Sequence, residues 1–207
     1  MTAMPPLITP RLIIRPFVPD DLDAYCRLQQ ASAEGVLPPG EGAATREQCA
    51  EWLRWAAANA VQLAQLHQPP YGDRAVTLRS SGELIGACGL VPCLGPFEQI
   101  PEVAGRPVSA PLKTTSAEVG LFYMISAGQR RRGYASEAAH ALIDYAFGEL
   151  RVHRIIAATT HDNTASQRVM RRLGMQIGRN PFPDPHWLQV VGVRANPAAR
   201  PVEMSAL

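Results

Sequence analysis

No apolar run in this 207-residue sequence approaches the ~20 residues that a helix needs to cross a bilayer, so no membrane span is expected. The N-terminus, Met1-Thr2-Ala3-Met4-Pro5-Pro6, lacks the basic-then-apolar order of a signal peptide. Together these absences point to the cytoplasm. An excess of charge is missing too. Twenty basic and 18 acidic residues leave a formal +2, which excludes the domain-wide basic field of a general nucleic-acid binder. Cysteine is sparse: Cys26, Cys49, Cys88 and Cys93 include no CxxC pair and no matching histidine spacing. Buried free thiols are expected in place of a disulfide framework or a zinc site. His140, His153 and His161 form no metal-like grouping either, so no metal is expected.

What is present is an ordinary globular balance, 46% apolar and 18% charged, in a length that suits one domain. That domain is expected to fill residues 1–207, with a core from about 9 to 193 and a loose Pro- and Ala-rich tail over about 196–207. Thr9 to Phe17 reads as a first strand, stopped by Pro16 and Pro19. Asp20 or Asp21 then caps a helix carrying Leu22, Tyr25, Leu28 and Gln29. A polar loop runs from Glu34 to Thr45. Thr45 and Gln48 form a capping box, opening a helix to about His67 with Cys49, Leu53, Ala56 or Ala57, Ala60 and Leu63 on one side.

Arg74 to Arg79 and Glu83 to Val91 read as a hairpin joined at Ser80-Ser81-Gly82. The small residues Gly86, Ala87 and Gly89 predict close approach of another element. From about 92 to 116 the chain is rich in Pro, Gly and charge, and reads as a long excursion or flap. Glu118 to Ile125 is the next strand. After it comes a helix with Ala135, Ala138, Ala139, Leu142, Ile143, Ala146 and Phe147 on its core face. Arg154 to Thr160 is a buried strand, and Asn163 caps a short helix with Val169 and Leu173 inward, ended by Gly174. Leu188 to Val193 is a last strand. The sum is a mixed α/β domain, with antiparallel hairpins at the front and a β-α-β-α half at the back.

One stretch carries chemistry: Gln129-Arg130-Arg131-Arg132-Gly133-Tyr134-Ala135-Ser136-Glu137-Ala138, a basic turn between a strand and a helix. Such a turn aims several backbone N–H groups at one point, at the positive end of a helix dipole, where a phosphate or pyrophosphate can bind. It is not a Walker motif, which ends in Gly-Lys-Ser/Thr, and the three-glycine dinucleotide fingerprint is missing. Gly133 lets the backbone approach an anion, and Ala135 keeps the first helical turn slim. A basic surface turn before an ordinary helix is the plainer reading of these residues.

The neighbouring motifs extend it. Glu83-Leu84-Ile85-Gly86, Glu118-Val119-Gly120-Leu121, Gly133 to Ala138, Asn163-Thr164-Ala165-Ser166 and Arg172-Leu173-Gly174-Met175 follow in order behind Arg11-Leu12-Ile13-Ile14-Arg15-Pro16. In this the chain resembles the GNAT superfamily of acyl-CoA N-acyltransferases, and within it the ribosomal-protein N-terminal acetyltransferase (Rim-type) branch. The resemblance implies an α+β fold: a mostly antiparallel mixed sheet, split between two central parallel strands and flanked by helices.

It further implies acetyl-CoA as co-substrate, a primary amine as acceptor (a peptide N-terminus or a small molecule), and a homodimer by analogy. The pantetheine would lie along Tyr123, Met124 and Ile125, and the pyrophosphate on the amides of Arg131 to Ala135 and Ser136. Arg130, Arg131 and Arg132 would steer the adenosine phosphates, with Tyr134 in the same turn, and Asn163 would bond the pantetheine. Acetyl transfer would proceed by direct attack, with Glu118 as base, directly or through water, and Ser166 as the acid that meets the leaving thiolate. Glu118 could instead serve only to bond a neighbouring strand or arginine, and Ser166 could bond locally. A CoA-binding module with a sensor or partner role and no turnover is the alternative function. The aromatic platform that many members carry after the strand is replaced here by Ala127-Gly128. Trp52 and Trp55 lie in a helix that the family uses near the acceptor, with core packing expected for at least one.

Overall fold

A computed structural model describes residues 4–33 and 44–199. Nearly all of the expected polar loop and the last eight residues of the tail lie outside them. The strands are β1 (Leu7–Ile8), β2 (Leu12–Arg15), β3 (Gly72–Leu78), β4 (Leu84–Gly95), β5 (Ser116–Ile125), β6 (Arg154–Thr159), β7 (Gln176–Arg179) and β8 (Val190–Ala195). The helices are α1 (Leu22–Ala33), α2 (Arg46–Gln65), α3 (Pro101–Ala104), α4 (Tyr134–Gly148) and α5 (Thr164–Arg172). The strands form a mixed sheet in the order β1-β2-β3-β4-β5-β6-β8-β7, in which β5 and β6 are parallel. The expected α+β fold is the one observed.

The chain divides into two compact units, Met1–Pro92 with Leu121–Leu142, and Cys93–Gly120 with Ile143–Leu207. In the first, α1 and α2 cover β3 and β4 through a cluster of Phe17, Tyr25, Leu28, Cys49, Leu53, Ala75 and Ala87, against which Phe122 and Met124 of β5 also pack. Trp52 stacks on Tyr25 at 4.3 Å between ring centroids, so it is the tryptophan spent on packing. Trp55 is 56% exposed. Small residues on β4 are needed sterically: a Cβ on Gly86 would collide with the Met124 carbonyl, and one on Gly89 with the Gly72 carbonyl. Side chains fill the second unit differently. Phe97, Ile100 and Val103, from the segment after β4, are buried with Ile156, Leu188, Val191 and Val193.

The Thr45 capping box opens α2 as expected, with Gln48 N–H donating to Thr45 Oγ1 and Thr45 N–H to Gln48 Oε1 at 2.8 Å. On α4, Ala138, Ala139, Leu142, Ile143 and Ala146 are all buried. Several boundaries differ from the sequence reading. The first strand is a short hairpin, because Thr9 N–H returns to the Leu12 carbonyl at 3.0 Å and splits it into β1 and β2. Asp21 does not cap α1; its carboxylate accepts Val18 N–H and both Arg15 Nη groups ahead of the helix. Strand β4 runs on to Gly95, past Pro92, and β7 was missed altogether. Ala60 is exposed, and Met170 and Gln167 join Leu173 on the inner side of α5. Cys26, Cys49 and Cys88 are buried free thiols and Cys93 is half-buried.

Candidate active site

The basic turn folds tightly by two left-handed residues, Arg131 at φ 63° and Gly133 at φ 84°. Arginine takes such a φ at a cost, whereas glycine takes it freely. The first helical hydrogen bond of α4 is Glu137 N–H to the Gly133 carbonyl at 3.0 Å. The N–H groups of Tyr134, Ala135 and Ser136 therefore have no acceptor within the helix. The Ser136 hydroxyl is a further donor here: its Oγ is buried and, among the described residues, without a hydrogen-bond partner. Four donors thus converge at the positive end of a helix of 15 residues, a geometry that suits an anion.

What holds the turn was not evident in the sequence. Arg11 donates from Nη1 to the Arg132 carbonyl at 3.0 Å, and its guanidinium lies 4.6 Å from the Tyr134 ring centroid. Glu137 receives Thr9 Oγ1 at 2.6 Å, Arg11 N–H at 3.0 Å and Arg11 Nε at 2.6 Å. Burial works to raise the Glu137 carboxyl, but the Thr9 and Arg11 bonds outweigh it and hold it below the ordinary value. Arg11 and Glu137 lie in the sequence motifs, but nothing local ties them together. Among the arginines, Arg130 turns back to donate from Nε to the Ile125 carbonyl at 3.0 Å. Ile125 is one of the three strand residues along which the pantetheine is expected to lie. Arg131 and Arg132 are exposed. Tyr123 and Met124 are half-buried on β5.

In the second unit, the parallel ladder consists of Val119↔Ile155 and Gly120↔Ile156. This register sets Glu118 beside Arg154. Glu118 is 8% exposed, accepts Arg154 Nε at 2.8 Å and a short bond from Nη2, and takes the Ser116 hydroxyl at 3.1 Å. Arg154 also reaches the Val103 carbonyl at 2.9 Å, and the Glu118 bond raises its pKa further. The carboxylate is thus fully engaged. Asn163 caps α5, its Oδ1 accepting Ser166 N–H at 3.0 Å, and Ser166 is half-buried one turn in. This cap leaves the Asn163 amide nitrogen as an unassigned donor pair.

A residue overlooked in the sequence is Asp73, the second residue of β3. Burial pushes its carboxyl up to about 6. Among the described residues, no group of three or more His, Cys, Asp or Glu side chains is arranged to hold a metal, and no helix is long and apolar enough to cross a membrane.

Residues 11–176 match the family described as the acetyltransferase (GNAT) domain. The protein YkkB of Bacillus subtilis, uncharacterized, is 30% identical over 149 residues, 70% of each chain. The uncharacterized N-acetyltransferase YnaD of the same organism is 42% identical over 59 residues, which are 28% of this chain and 34% of that protein. The match thus spans about a third of YnaD. In fold, the chain is similar to RimL, the ribosomal L7/L12 α-N-protein acetyltransferase solved with coenzyme A. The TM-score is 0.62 at 14% identity, over 93% of this chain and 98% of that one.

Proposed function

The chain belongs to the GNAT acetyltransferase family, and from that premise we propose that it transfers an acetyl group from acetyl-CoA to a primary amine by direct attack in a ternary complex. The observation that carries this reading is the start of α4. Three N–H groups without helical acceptors and the buried, unpartnered Ser136 hydroxyl sit behind the left-handed Gly133. That donor set fits the pyrophosphate of acetyl-CoA, with the exposed Arg131 and Arg132 on its phosphates. The strand residues Tyr123, Met124 and Ile125 and the amide of Asn163 are assigned to the pantetheine. A homodimer, on family likeness, and a cytoplasmic location remain part of the proposal.

For proton movement we keep Ser166 as the acid and Glu118 as the base, directly or through water. By either route, proton uptake by Glu118 has to displace a hydrogen bond that it accepts from Arg154 or Ser116. The same engagement favours a second reading, a CoA-binding module without turnover. The two part on a simple measurement. In the enzyme, release of CoA thiol with an amine acceptor falls at least tenfold in Ser166→Ala while acetyl-CoA binding holds. In the module, no acceptor of a broad amine and peptide panel releases thiol. Gly133→Glu tests the anion site itself: calorimetry should show acetyl-CoA affinity down at least a hundredfold, and unchanged affinity refutes the turn as its seat.

A further inference from the structure

The first unit holds a cavity of about 60 Å³ between α2 and β3. Its room originates in the sequence. Ala56, Ala60 and Ala64 recur every four residues along α2, so one stripe of the helix offers methyl groups where larger side chains would close onto the strand. Phe17 and Trp55 add two aromatic walls, and Asp73 adds the charge. The volume suits roughly four water molecules, or an ammonium group with a few methylenes.

The charge is the unusual part. Among the described residues, no hydrogen-bond donor or ion-pair partner engages the Asp73 carboxylate, and burial is what disturbs its titration. Arg74, the next residue, also borders the cavity, but its Nη2 donates to the Met4 and Pro5 carbonyls at 3.0 and 3.2 Å. The other titratable groups that feel Asp73 are Tyr25 and Cys88, both kept neutral chiefly by burial. A carboxylate drawn out of water without a counter-charge is costly, and a cationic ligand removes that cost. Aromatic faces favour an ammonium, and alanine methyl groups favour an alkyl chain.

Position selects which ammonium. Strand β4 lies between β3 and β5, so Asp73 stands two strand spacings, about 10 Å, from β5. Phe17 follows β2, one strand further out. A group seated here is out of reach of a thioester carried along β5. We propose that this cavity binds a primary alkylammonium group, the second cationic end of an acceptor whose other amine is acetylated. The proposal rests on the acetyl-transfer reading and adds a substrate class to it: dicationic alkyl amines.

Two arms test it. In the first, protein with 13C-labelled alanine methyl groups is titrated with butylammonium chloride and, separately, with butanol. The Ala56, Ala60 and Ala64 methyl signals should shift saturably with the cation only. In Asp73→Asn the cation should bind at least tenfold more weakly. Equal binding to both proteins, or equal response to butanol, overturns the site. Ala56→Leu, which fills the cavity and keeps the charge, should likewise abolish the shifts of the remaining alanines.

In the second arm, thiol release is compared for 1,8-diaminooctane and octylamine. The parent should show at least a tenfold lower KM for the diamine, Asp73→Asn should erase that difference, and KM for acetyl-CoA should not change. A diamine preference that survives in Asp73→Asn overturns the acceptor assignment. Absence of thiol release with every acceptor defeats the acetyl-transfer reading instead, and the methyl titration still decides whether the cation site exists.

Discussion

Glu118 on β5 and Asp73 on β3 are both carboxylates withdrawn from water, and they are handled in opposite ways. Glu118 has Arg154 across two bonds and the Ser116 hydroxyl besides. Asp73 has a cavity in front of it and, among the described residues, no hydrogen-bond or ion-pair partner, and burial lifts it to about 6. A satisfied buried ion holds structure in place, while an unsatisfied one stores a demand that a ligand can meet. Glu118 is the more deeply buried of the two, yet it is the one whose charge is met.

The largest expected effect comes from unbalancing the satisfied side. Arg154→Met leaves Glu118 buried without its cation and should lower stability in urea by about 3 kcal/mol, the low end for a broken buried pair because Arg154 is partly exposed. A loss below about 1 kcal/mol would place Glu118 in the same class as Asp73.

Asp73→Asn is next and acts with the opposite sign. A carboxyl raised from 3.8 to about 6 holds its proton longer in the folded than in the unfolded chain. Its contribution to stability therefore declines as pH rises from about 4 to about 6, and stays low above that. Removing the charge should stabilise the protein at pH 8 by about 2 kcal/mol, discounted for its partial exposure. Below pH 4 parent and variant should melt alike. A variant that is destabilised at pH 8 would reveal a counter-charge and erase the contrast. The smallest effect is that of Ser116→Ala, which removes one hydrogen bond from Glu118 and should cost about 1 kcal/mol by chemical denaturation.

What the sequence disclosed was local. The Thr45–Gln48 box closes over three residues, the α4 stripe repeats over four turns, and Gly133 marks its own left-handed turn. Each is decided by neighbours in the chain. The partner of Glu118 is decided by a parallel register 36 residues away, which no spacing announces. Strand β1 has two residues and β7 four, too short for a period to develop. Asp73 lies just ahead of the strand read from Arg74, and only α2 packing over it makes the side chain unusual. The family motifs led to Glu118 and the arginine turn, and the unpaired carboxylate lay outside them.

The cysteines have a practical consequence. Burial raises the Cys49 thiol to about 12 and Cys88 and Cys93 above their ordinary value, so the reactive thiolate is scarce at neutral pH. The folded protein should stay nearly silent toward a disulfide dye and leave the signal to the CoA released in turnover. Once unfolded, all four sulfurs should react. One colorimetric reagent then counts acetyl transfers while the chain is intact and reports the moment it opens.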